Sequence, residues 1–164
     1  MALDPIPTSF QSDGMHTITY VPAGANPLSA AILNGGTAKD VTYGLTSDGF
    51  NYGVSQATVP DKRYTLQQDL SAPGKTTETL VLKYPDTTDA GSPAVLFTEN
   101  LRGFLVVRRQ VANGTAYAAA QIVDVLDVQF GKAAPDAPTE NGLDTVTQGT
   151  FFKSATLRKS VVVA

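Results

Sequence analysis

Two runs, GFLVVRRQV (103–111) and AQIVDVLDVQFG (120–131), restrict what this chain can become more than any other feature. Both are apolar and rich in β-branched residues, whose stiff side chains suit a pleated, buried strand better than a helix. A Gly-containing loop separates them, so they are expected as the central strands, with the core built around them. At 164 residues the chain is long enough for one compact domain, 1–164, that buries roughly two-thirds of its unfolded surface.

The flanking segments read as further strands joined by turns. Residues 1–13 carry two prolines in a polar setting and are expected as an N-terminal arm ordered by a partner. GMHTITYVP alternates with period two, which places His16, Ile18 and Tyr20 in one row of a strand. Asn26-Pro27 before LSAAILNGG predicts a short helix with Gly35 as its stop, and Ser92-Pro93 predicts a second one through Leu101. VTYGLTSDGFNYGVSQATVPD predicts a short strand near 41–46 followed by a long excursion to residue 60.

RYTLQQDLSAPGKTTETLVLKY (63–84) predicts a hairpin turning at Pro73-Gly74, residues that suit the centre of a type II turn. Tyr64, Leu66, Leu80, Leu82 and Tyr84 form its expected apolar base. The polar stretch from Gln67 to Glu78 forms a tip reaching ~13 to 17 Å beyond it. GKAAPDAPTENGLD (131–144) is expected as a connecting loop, and TVTQGTFFKSATLRKSVVVA as two strands with a break near Ser154 and Ala155. About eight strands and two short helices predict a mainly β fold, a sandwich or barrel-like subunit with helices at its flank.

Residue usage excludes most familiar chemistry. Cys is absent and His16 is the single histidine, so disulfides, thiolate nucleophiles and Cys/His metal sites fall away. Asp124 and Asp127, three apart on a strand, point to opposite faces and do not make a catalytic pair. Asp86 and Asp89 lack the spacing of a calcium loop. Asn113-Gly114-Thr115 reads as a turn, and no Gly-rich phosphate cradle is complete. Arg108 and Arg109 put one guanidinium on each strand face, with one expected to pair with an acid. His16 is expected as a packing or interface residue. No enzyme activity, cofactor or metal is expected. The start lacks a signal-peptide pattern and no window is long enough for a membrane span, so no membrane partner is expected and the protein should be soluble where it is made. The net charge of −3 supplies no field for gripping nucleic acid.

The order and wording of the segments carry a resemblance. AILNGGTAKDVTYGLTSDGFNYGVSQATVPDKRYTLQQDLSAPGKTTETLVLKY, then LRGFLVVRRQV, QIVDVLDVQFGK and DTVTQGTFFKSA, spanning about 28–160, resemble the major tail tube proteins of long-tailed, siphovirus-type bacteriophages, especially those infecting actinobacteria. The resemblance implies a β-sandwich subunit with a short flanking helix, closing into hexameric rings that stack as a tube for double-stranded DNA. It implies a virion component made in the host bacterial cytoplasm, meeting the tape measure, the tail terminator and distal tail or baseplate proteins.

In such proteins the functional surfaces are interfaces, and the long loop and hairpin at 47–75 reach neighbouring subunits or the next ring. Asp48, Phe50, Tyr52, Gln67, Gln68, Asp69, Pro73, Gly74, Lys75 and Glu78 are therefore the candidate contacts. One of Asp124 and Asp127 is the candidate lumen-facing carboxylate, while Lys153, Arg158 and Lys159 are expected at subunit contacts or outside. The alternative is a carbohydrate- or protein-binding β-sandwich module, which would need Tyr43, Phe50 and Tyr52 as an exposed aromatic platform.

Overall fold

The computed structural model describes residues 9–65 and 67–164; the first part of the expected N-terminal arm, and Leu66 of the expected hairpin base, lie outside the described residues. Among the described residues there are eight strands: β1 (His16–Pro22), β2 (Lys39–Asp40), β3 (Phe50–Asp61), β4 (Leu70–Pro85), β5 (Arg102–Arg109), β6 (Ile122–Pro135), β7 (Thr145–Phe152) and β8 (Leu157–Val161). Two one-turn helices, α1 (Ala30–Leu33) and α2 (Pro93–Leu96), complete the mainly β architecture that the turn-punctuated sequence demanded. The two apolar runs are β5 and β6. The chain sorts into two compact units, each assembled from separated segments.

The first unit holds residues 1–44, 102–128 and 153–164. Its strand order is β2-β1-β5-β6, with β8 on β6, and β1 pairs antiparallel with both β2 and β5. Val21, Leu33, Val106, Tyr117, Val123, Val125 and Val162 form its core, against which α1 packs through Ile32 and Ala30. Opposite Pro22 lies Gly103, and a Cβ there would run into the Tyr20 ring and come within 2.9 Å of the Val21 carbonyl. That glycine is what lets the ring approach β5 so closely.

The second unit holds residues 45–101 and 129–152, in the order β6-β7-β4-β3. Leu80, Leu82, Tyr84, Phe97, Phe130 and Val146 are buried. Phe97 stacks on Phe130 at 4.2 Å between centroids, and Tyr84 meets Phe97 edge-on. Gln148 is fully buried among them. Its amide donates to the carbonyls of Phe97 (2.9 Å) and Gly131 (2.7 Å) and accepts from the Tyr84 hydroxyl (2.9 Å), which makes its burial tolerable.

Several local expectations shift. The first helix is a single turn capped at Ser29, because Asn26 instead accepts the Leu28 N–H in a tight Asx turn. The second begins at Ser92-Pro93 as expected but stops at Leu96, where Phe97 leaves the helical region to enter the aromatic stack. No strand forms over 41–46, where Thr42–Gly44 is a 3-10 turn, and the excursion to residue 60 becomes strand β3 from Phe50 onward. β6 continues to Pro135, which leaves 136–144 as the connection.

The largest correction concerns the hairpin. Its strands are Phe50–Asp61 and Leu70–Pro85, its turn is the segment 62–69, and Pro73-Gly74 lies inside β4. Thr58 faces Pro73, and Gly74 does not adopt the left-handed φ that a type II turn requires. Pro is admitted because β4 pairs with β7 only over Val81–Pro85, so its outer edge needs no N–H at residue 73. Gly74 sits where the register slips between Gln56 and Thr58; a Cβ there would come within 3.0 Å of the Ala57 carbonyl.

Candidate assembly interface

The hairpin places most of the candidate contacts on one two-stranded arm. Beyond Val81, β4 pairs with β3 alone, and β3 ends the strand order, so residues 54–61 and 70–77 present two outer edges with no strand paired to them. Eight residues of β3 from Val54 to Asp61 correspond to ~26 Å at ~3.3 Å per residue, longer than the tip expected from sequence. Nearly every side chain along it is exposed, including Val54, Val59 and Leu70 at about half of their surface and Tyr64 at 98%. Tyr64 thus belongs to the tip rather than to the apolar base.

Each sequence-predicted contact residue can now be placed. Gln67, Gln68 and Asp69 lie exposed in the turn, and Pro73, Gly74 and Lys75 form the irregular part of β4. Within the turn Arg63 grips Asp61 through two nitrogens, and Thr65 takes a left-handed φ of 59°. At the root, Tyr52 donates its hydroxyl to Glu78 (3.1 Å) and tilts against Phe152, so both residues are engaged within the subunit. Phe50 and Tyr52 face Leu82 and Leu80 across β3 and β4 on the inward row, which leaves no exposed platform made from them. Asp48 precedes β3; the Thr46 hydroxyl, its own backbone N–H and Lys83 hold its carboxyl below the usual range.

Asp124 and Asp127 are separated to different partners, as their spacing required. Asp127 is 5% exposed and receives a two-pronged grip from Arg102, at 3.0 and 2.7 Å, with the Ser154 hydroxyl at 3.1 Å. These donors, Arg102 foremost, hold its carboxyl below 3.8 against the opposing effect of burial. Asp124 is 9% exposed and accepts the Lys159 backbone N–H (2.8 Å) and Arg158 Nε (3.2 Å), with Arg109 at 3.9 Å. Neither presents a bare carboxylate.

Arg109 is therefore the arginine of its pair that meets an acid. Arg108 is 1% exposed, lies 4.2 Å above the Tyr117 ring, and donates to the Thr115 and Ala116 carbonyls and to Gln121. It ties the 110–121 loop to β5. Nothing in the local sequence marks an arginine as buried. His16, facing Arg109 across β1 and β5, is held below 6.5 by burial and then by that guanidinium, so it is neutral near pH 7. Asn113 accepts from Thr17 and donates to Tyr43, which is how a turn asparagine is satisfied. Asp136, missed from sequence, accepts Thr145 and Thr147 hydroxyls and lies 3.6 Å from Lys83; the alternating Thr-Val-Thr of β7 was its only signal. Among the described residues no group of three or more acidic or imidazole side chains gathers to hold a metal, and no helix is long and apolar enough to cross a membrane.

The family model described as phage tail tube protein matches residues 3–164. Among solved structures, a chain in the cryo-EM structure of the anti-feeding prophage (AFP) baseplate, 6-fold symmetrised, is similar in fold at a TM-score of 0.57 and 7% identity, covering 96% of this chain and 98% of that one. No curated protein matches the sequence.

Proposed function

Because this chain belongs to the phage tail tube protein family, a structural family of the phage tail, we propose that it self-assembles into stacked hexameric rings that form the tail tube. The observation that carries this is the β3–β4 arm: two strands with free edges, exposed on both faces and bearing Val54, Val59, Tyr64 and Leu70. An isolated two-stranded hairpin of this length is at best marginal in water, and unpaired strand edges are templates for further pairing. Contacts from a neighbouring copy would bury its apolar side chains and satisfy its edges.

The six-fold symmetry named for the AFP baseplate supports a hexameric ring, and a heterologous contact of the proper rotation closes as a ring. Double-stranded DNA passes through the tube without being read, because the chain is mildly acidic, Arg108 is buried, and Arg102 is occupied by Asp127. A conduit gains nothing from neutralised phosphates, each of which would add affinity that retains the genome. The tape measure, the terminator and the distal tail or baseplate proteins are the partners at the lumen and the tube ends, and the site of synthesis is the host bacterial cytoplasm.

Shortening the arm tests the reading. Replacing residues 55–77 with Asn-Gly joins Val54 to Glu78 through a two-residue hairpin loop. The shortened protein is expected to fold with unchanged near-UV circular dichroism and to form no tubes by negative-stain electron microscopy under conditions where the full chain does. Normal tubes from the shortened protein would refute the role of the arm.

A further inference from the structure

A second surface is built around Asp124. β6 and β8 pair Val123 with Ser160 and Val125 with Leu157, so Asp124 faces two residues, Arg158 and Lys159, across a bulge. Lys159 adopts a left-handed φ of 52°, unusual for a residue with a side chain, and its N–H is held by the Asp124 carboxylate at 2.8 Å. The bulge turns both cations into a cleft of about 340 Å³ that also includes Arg109, Val107 and Ile122. Arg109 and Arg158 are each half-exposed, and Ile122 is 57% exposed. Three cations and one carboxylate line the cleft, so it is positive in a chain whose net charge is −3.

The complementary surface occurs elsewhere on the same chain. Segments 85–101 and 133–152 contain six acidic residues and not one Lys or Arg. Their loops are tied together by the Asp86 N–H donating to the Asp144 carbonyl at 2.9 Å. Asp86, Asp89, Glu140 and Asp144 are exposed, and beside them Leu143 leaves 75% of its surface in solvent. An acidic loop with an apolar tip matches a basic cleft with an apolar floor.

We propose that the Arg109–Arg158–Lys159 cleft of one subunit receives the acidic 86–89 and 140–144 loops of a second copy, Leu143 packing on Ile122. The contact joins two different patches and is therefore heterologous, the kind that propagates around a ring or along a tube. It rests on the self-assembly proposed above and names one of its surfaces. A DNA backbone is the less suited occupant, because it offers no apolar group to cover the exposed Ile122 side chain as Leu143 does.

Charge reversal tests the pairing in the full-length protein. Lys159→Glu and Asp144→Lys are each expected to raise the concentration needed for tube formation about tenfold and to weaken its response to salt. The double variant carries the swapped pair at every contact and is expected to return towards wild type. Lys159→Asn, which tolerates the left-handed backbone, and Asp89→Lys guard against a folding defect, checked by circular dichroism. Single variants that assemble like wild type, or a double variant no better than either single one, would overturn the pairing while leaving the tube reading intact. Lys159→Glu that only weakens retention of double-stranded DNA would assign the cleft to DNA instead and overturn it too. Wild-type protein that never assembles would refute both.

Discussion

Replacing Gln148 with Leu changes little in volume and much in polarity. Its amide makes three buried hydrogen bonds, to the Phe97 carbonyl, the Gly131 carbonyl and the Tyr84 hydroxyl, all at 2.7 to 2.9 Å. A buried polar group left without its partner costs about 1 to 3 kcal/mol. Part of that loss is offset by the better transfer of an apolar side chain, so a net destabilisation of about 3 to 5 kcal/mol is expected for Gln148→Leu. At roughly 2 to 4 °C per kcal/mol for a chain of this size, the midpoint falls by roughly 6 to 20 °C. Burial already raises the Tyr84 hydroxyl pKa to about 12, so it cannot escape by ionising. Urea unfolding of the unassembled protein, followed by near-UV circular dichroism of the aromatic stack, measures the loss. The Tyr84→Phe/Gln148→Leu double variant removes the stranded hydroxyl and should recover about 1 kcal/mol relative to additivity. A Gln148→Leu cost below about 1 kcal/mol would refute the claim that this amide holds the second unit's core together.

Two further outcomes follow from the first unit. Asp127 has a folded-state pKa below 3.8, chiefly through Arg102, so its contribution to stability is complete above that value and is lost as pH falls through the depressed one. Asp127→Asn should flatten the acid limb of the stability–pH profile, and an unchanged limb would show that the Arg102 grip adds nothing. Gly103→Ala puts a methyl group into the Tyr20 ring and near the Val21 carbonyl, which should cost about 1 to 3 kcal/mol by chemical denaturation; a midpoint equal to wild type would mean that β1 and β5 do not approach so closely.

The sequence by itself determined several of the strands and some of the breaks between them. β-branched runs gave β5 and β6, Ser92-Pro93 opened α2, and the break near Ser154 and Ala155 separated β7 from β8. These signals act over a few residues, so they can be read locally. The mainly β class and the exposure of most of the polar stretch from Gln67 to Glu78 were legible for the same reason.

Only the tertiary structure decided where that hairpin turns. Pro73-Gly74 satisfies a type II turn and an edge bulge equally well, and the choice falls to the row that sets Tyr52 against Leu80 and Phe50 against Leu82. A slip of one residue would turn that row outwards, so burial overrides turn preference. Likewise, no local pattern distinguishes the buried Arg108 from the half-exposed Arg109, or reveals that Asp124 holds a bulge 35 residues away at Lys159. Those assignments depend on which distant groups can satisfy a buried charge, and that is fixed only when the strands that carry them have paired.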